Sequence, residues 1–224
     1  MTMLYRLDAT AADIAHTFAA RQGDDPWQPA HIAPGSFAPI VTSGREFVAG
    51  PRPADEPPRR IIPRLWGVPP PASASDSPRH GILTVRNLES PFWIGNLRNS
   101  EFRCLVPATS FMEWGKGRDK DGKRRQCWFA ASDQRLFAFA GVWIDSEVPS
   151  FALLTCEPNA ALRHEGRDTM PAILPADPKS HDIWLRGDWA RACGSSCRAR
   201  PRFRRRCFRP SRSASATRSS SATA

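Results

Sequence analysis

A chain of 224 residues, 41% of them apolar, is long enough to bury one substantial core, and a net charge of +10 would by itself suggest a nucleic-acid partner. The charge is unevenly placed: residues 191–224 hold ten arginines and no lysine or acid, so residues 1–190 are neutral overall. The N-terminal MTMLYRLDATAAD lacks the apolar run of a leader, and no stretch approaches the roughly 20 apolar residues of a spanning helix, so a soluble, cytoplasmic protein with no membrane partner is expected.

Thr10 followed by Asp13, with Ile14 and Phe18 four apart, predicts a capped amphipathic helix closing at Gly23. APIVTSGREFVAG predicts a hairpin about Ser43-Gly44, and RIIPRLWG a further strand. Pro69-Pro70-Pro71 and the polar run to His80 form a surface loop. Residues 82–86 read as a strand, and Ser90-Pro91 as the cap and first-turn proline of a short helix through Leu97.

In the second half, RCLVP and TSFMEW read as strands, and Lys120-Asp121-Gly122-Lys123 turns the chain into QCWFAA. LFAFAGVW and SFALLTC follow as strands, then EPNAALRH and residues 178–192 as helices, with Ile183, Leu185 and Trp189 on the buried face. Strands and helices do not alternate regularly. A single α+β domain over residues 1–190 is therefore expected, with a mainly antiparallel, barrel-like sheet core and a few short helices.

The last 34 residues change character, being almost wholly Arg, Ser, Ala, Cys and Pro with no helical or strand period. Such a segment is expected to be disordered. Two origins stay open, a basic arm that binds nucleic acid and an out-of-frame stretch of a GC-rich gene. Cys104, Cys127 and Cys156 stand alone in apolar runs, as small buried hydrophobes do.

No Gly-rich phosphate loop, GxSxG elbow or HExxH helix is present, and the five histidines are scattered. No cofactor and no metal is expected. Several short motifs do occur in a telling order: LYRL, APG at Ala33-Pro34-Gly35, WG at Trp66-Gly67, VRN at residues 85–87, SPFW, RCLVPATSFMEW, AFAGVW, LLTCEPNA and MPAIL. In that order, over residues 1–190, they resemble the SOS response-associated peptidase (SRAP) family of abasic-site processing proteins.

The resemblance implies a monomer whose partner is single-stranded DNA bearing abasic sites. In the family a cysteine directly after the initiator Met becomes the N-terminus. Its amine and thiol close on the ring-opened aldehyde of the lesion as a thiazolidine, assisted by an Asn, a Glu and a His, and the same residue releases the leading Met. Here Glu113 falls on the family's glutamate, and its neighbours Phe111, Met112 and Trp114 would raise its pKa toward the range useful for proton transfer. Thr2 stands where the cysteine belongs, and a hydroxyl attacks far less readily than a thiolate. Thr84 stands for the asparagine, two residues before Arg86. The family's His lies about four residues or fewer before Met-Pro, and His164 is close to that window but out of register.

Arg86 is the candidate phosphate contact, and Trp66, Trp93 and Trp114 are candidate faces for base stacking. Three functional classes follow: an abasic-site enzyme working through the amine of residue 2, a single-stranded DNA-binding module that does not react, and a decayed gene product.

Overall fold

The computed structural model describes residues 4–23, 27–45, 55–71, 80–118, 120–198 and 203–207. In chain order the strands are β1 (Leu4–Leu7), β2 (Ala20–Arg21), β3 (Ala30–Ile32), β4 (Phe37–Thr42), β5 (Arg59–Trp66), β6 (Thr84–Val85), β7 (Arg103–Ala108), β8 (Ser110–Arg118), β9 (Arg124–Ala131), β10 (Phe137–Ile144), β11 (Ser150–Cys156), β12 (Met170–Pro171) and β13 (Phe203–Cys207). The helices are α1 (Ala11–Phe18), α2 (Pro91–Arg98), α3 (Ala160–His164), α4 (Pro178–Arg186) and α5 (Trp189–Arg198). The α+β architecture expected from the sequence is the one that forms.

One sheet runs β13-β9-β8-β1-β3 and the other β12-β11-β10-β7-β4-β5-β2, with β6 beside β11. The second sheet closes on itself, because β11 also pairs with β5 in parallel, Ser150 opposite Leu65 and Phe151 opposite Trp66. Closure removes two exposed edges and makes the core barrel-like. The first sheet packs against it through aromatics: Tyr5 meets Trp66 at 5.1 Å and Phe139 at 5.9 Å, and Phe111 meets Phe139 at 5.7 Å between ring centroids. Each fully buried side chain of this size contributes about 1.5–3 kcal/mol.

LFAFAGVW has no polar face because β10 is covered on both sides, by the first sheet's aromatics and by α2, so its residues are buried from Phe137 to Trp143. Gly141 is required there, since a Cβ would meet Val106 Cγ2 at 2.7 Å and Cys104 Sγ at 2.8 Å. Burial pushes the Cys104 thiol well above its ordinary value, which leaves it an inert small hydrophobe.

Three buried or half-buried arginines hold α4 against the barrel. Arg59 donates to Phe18 O at 2.7 Å and to Asp182 Oδ1 at 2.8 Å. Arg186 donates to Pro57 O at 2.8 Å and Ser43 O at 3.2 Å, and Arg103 donates to Gly187 O at the helix end. Burial pushes the Arg103 guanidinium down to about 10, still charged at neutral pH.

Several local expectations are corrected. α1 has the capping box of Thr10 and Asp13, but it ends at Ala19, in the left-handed region at φ 48°, not at Gly23, because β2 begins at once. The partner of β4 is β5, with Ile40 opposite Ile62, and the expected return strand at residues 46–50 lies outside the described residues. Residues 178–192 form two helices, and the buried positions are His181, Trp184, Leu185 and Ala192 instead of Ile183 and Trp189. Disorder was expected throughout residues 191–224, yet α5 continues to Arg198 and β13 adds to the edge of β9, Phe203 opposite Ala131. The backbone ladder of an edge strand accepts any extended partner, whatever its composition. Phe203 then packs its ring at 5.5 Å from Phe111 and 6.1 Å from Phe129.

Candidate active site

Antiparallel pairing puts Glu113 on β8 opposite Cys127 of β9, on the side of the sheet that carries Phe111 and Phe129. The carboxylate is thereby turned inward, and its side chain is 1% exposed. A buried carboxylate requires a partner. It has one in Arg167, whose Nε lies 3.1 Å from Glu113 Oε2 in the geometry of an ion pair rather than of an aligned hydrogen bond.

The facing wall comes from the second sheet. Parallel pairing of β6 with β11 sets Thr84 opposite Leu153, and antiparallel pairing of β11 with β12 sets Thr155 opposite Pro171. Thr155 Oγ1 donates to Val85 O at 3.0 Å and ties β6 to β11. Glu113, Thr84, Arg86, Thr155, Thr169, Met170 and Pro171 together line one narrow pocket between the two sheets. Three hydroxyls, a carboxylate and a guanidinium can there hydrogen-bond a small polar group, move a proton, and meet an anion at the exposed Arg86.

The structure therefore brings together Thr84, Arg86 and Glu113. His164 is elsewhere: its side chain is 78% exposed at the end of α3, with Nδ1 3.4 Å from Glu165 Oε1. Thr2 lies outside the described residues. Trp66 is a core residue, wholly buried, with its indole N–H donating to Leu83 O at 3.2 Å, so it offers no face to a base. Trp93 is likewise buried on α2 against Phe92. Trp114 is half-buried beneath the guanidinium of Arg124, 5.3 Å from its ring centroid. Among the described residues no three His, Cys, Asp or Glu side chains are grouped as a metal would require.

Arg167 stands in the stretch before Met170-Pro171 where the family resemblance calls for a histidine, so its residue type gave no match. A cation three residues before Met170 was the available signal. A larger recess of about 510 Å³, lined by Arg6, Ser110, Trp128, Arg135 and neighbours, holds none of the expected site residues.

Comparison with known proteins bears on this architecture. Solved structures with the same fold include a protein from Bordetella bronchiseptica (TM-score 0.67, 17% identity, covering 92% of this chain and 99% of that one). A protein from Bacteroides thetaiotaomicron (0.66, 17%, 93% and 92%) and a phage-related protein from Bordetella bronchiseptica (0.66, 19%, 92% and 94%) are similar to the same degree. No curated protein matches the sequence. The model of the SOS response associated peptidase (SRAP) family matches residues 1–205, beyond the boundary at 190 expected from composition. A match over nine-tenths of the chain, on a fold shared with those structures, means that this chain belongs to the SOS response associated peptidase family.

Proposed function

We propose that the chain processes abasic sites in single-stranded DNA through the N-terminal amine of residue 2, exposed by release of Met1. The observation that carries this reading is the convergence of Thr84, Arg86 and Glu113 on one pocket. β1 enters the described structure at Leu4, opposite Met112 and next to Glu113 in sequence. Residue 2 is two residues upstream, a reach of about 7 Å.

The chemistry follows from the groups available. The neutral α-amine, with an ordinary pKa of about 7.7–8, adds to the aldehyde carbon of the ring-opened lesion. A C–N bond forms and the carbonyl oxygen becomes a hydroxyl. Glu113 carries the proton that lets this hydroxyl leave as water, giving an imine. Arg86 meets a flanking phosphate, and the Thr84 hydroxyl hydrogen-bonds the departing oxygen. With a thiol at residue 2 the imine would close to a thiazolidine; the hydroxyl of Thr2 closes to an oxazolidine, which hydrolyses readily. The adduct of this chain is therefore reversible.

An oligonucleotide with one abasic site tests the reading. The unaltered chain should give a denaturant-resistant adduct with borohydride and none without it. Thr2→Cys should give a spontaneous adduct, and adding Glu113→Gln should slow its formation by about 100-fold. A stable adduct from the unaltered chain without reductant would show that the missing thiol does not matter. Absence of the borohydride adduct, with DNA binding intact, would leave a binding module and overturn the enzyme reading.

A further inference from the structure

Glu113 is held by a residue from a segment that is itself held, and the holding residue has no part in the chemistry above. α3 ends in a Schellman motif: Gly166 N–H donates to Arg163 O at 2.9 Å and Arg167 N–H to Leu162 O at 3.0 Å, with Gly166 in the left-handed region at φ 73°. The motif folds the chain back so that residues 165–167 lie along β8. Glu165, the helix's C-terminal cap residue, is 3% exposed. Its Oε2 accepts the backbone N–H of Lys116 at 3.1 Å and pairs with Arg125 at 3.4 Å. The strand makes room for it at Gly115, where a Cβ would stand 2.7 Å from Glu165 Oε2. Two residues on, Arg167 reaches Glu113 from the same segment.

We propose that Glu165 is a positioning residue: it braces the α3–β12 connection on β8 at Lys116 and so fixes Arg167 on the carboxylate of Glu113. Two anchors three residues apart on β8, at Glu113 and Lys116, and two residues apart on the connection, at Glu165 and Arg167, define both its position and its direction. Arg167 bound by Glu113 alone would swing with the loop, and with it the orientation of the carboxylate in the pocket. Gly115 and Gly166 are the two backbone positions that permit the approach, the first by lacking a Cβ and the second by its conformation.

The inference rests on the functional reading only for its second readout. The first is the exchange with water of the Arg167 Nε–H, followed by ¹⁵N NMR in the full chain and assigned from its loss in Arg167→Lys. In the unaltered protein this donor, shielded from water, should exchange slowly. Glu165→Ala should speed its exchange at least tenfold and Glu165→Gln, which keeps an acceptor for Lys116, by less. The Nε–H of Arg59, whose side chain is 6% exposed and bound to Phe18 and Asp182 instead of to β8, serves as the reference for general loosening. Arg125 is 40% exposed on its side chain, so Arg125→Ala, which removes its contact with Glu165 and leaves the Lys116 hydrogen bond, keeps the measurement possible should Glu165→Ala fail to fold. It should speed the Arg167 exchange without moving Arg59.

The second readout is the borohydride-trapped adduct, whose maximal rate should fall several-fold in Glu165→Gln while half-saturation by DNA stays unchanged. Arg167 exchange unaltered in folded Glu165→Gln and Arg125→Ala, or altered only in step with Arg59, overturns the brace whatever the DNA result. Exchange that changes as expected in a protein forming no trapped adduct keeps the brace and overturns the abasic-site reading.

Discussion

Glu113 and its guanidinium partner are coupled by burial, and that coupling fixes what substitutions should do. Removing one member of a buried pair leaves an uncompensated charge and costs about 3–5 kcal/mol. Arg167→Ala should therefore lower thermal stability more than Arg86→Ala, since Arg86 is exposed. For Arg86→Ala the expected effect is on DNA: weaker single-strand binding and a salt dependence shallower by about 0.7 in log–log slope for one lost phosphate contact. Equal slopes for mutant and parent in a fluorescence titration over salt would remove Arg86 from the interface.

His181 supplies a pH dependence of known sign. Burial lowers its pKa below the ordinary 6.5; Arg59 nearby pushes the same way, and Asp177, Asp182 and the carbonyl of Pro175 oppose it more weakly. The folded state thus holds His181 neutral where the unfolded chain would protonate it. The stability tied to it is complete above about pH 6.5 and is lost as pH falls below that value toward the depressed folded pKa. Melting temperature should fall between pH 7 and 5, and His181→Phe, which keeps a ring beside Phe18, should flatten that fall. Parallel curves for both proteins would assign the loss to other groups.

Helix ends carry much of the local order. The α4 cap Asp177 accepts from Ser180 Oγ at 2.8 Å and from Ser180 N at 2.8 Å, and these hydrogen bonds, the side-chain one first, hold its carboxyl below the usual range. Asp177→Ala should cost about 1 kcal/mol, read as a shift in urea midpoint at constant slope. Gly166 is the comparable position in α3, where any L-residue at φ 73° is strained by about 1–2 kcal/mol. Gly166→Ala should show that loss by the same measurement and, through the Schellman geometry, a faster Arg167 exchange as well.

The whole molecule depends on two closures with different sequence requirements. The barrel closes where β11 meets β5, and there Trp66 and Phe151 stack at 6.5 Å, so a side-chain contact accompanies the ladder. The first sheet ends at β13, which is drawn from the arginine-rich segment. Deleting residues 199–224 strips β9 of its outer partner, leaving it paired with β8 alone, and uncovers Phe111 and Phe129 beside Phe203. Burial of one such ring is worth about 1.5–3 kcal/mol, so the truncated protein should melt several degrees lower. An unchanged melting curve would mean that β13 contributes nothing to the folded body.

Apolar patterning and turn chemistry were sufficient to identify most strands, the α1 capping box and the α+β class, because these depend on neighbours within a few residues. Glu113 was singled out as a candidate only through the resemblance that RCLVPATSFMEW carries. The pocket itself was not legible, because Thr84 and Glu113, 29 positions apart in the sequence and on different sheets, meet only when the two sheets pack, and no local period encodes which strand lies beside which. Nor could composition tell that Trp66 points into the core or that a basic tail would supply an edge strand. The burial of a tryptophan depends on which sheet faces it. An edge strand is recruited by unpaired backbone groups that every residue carries alike.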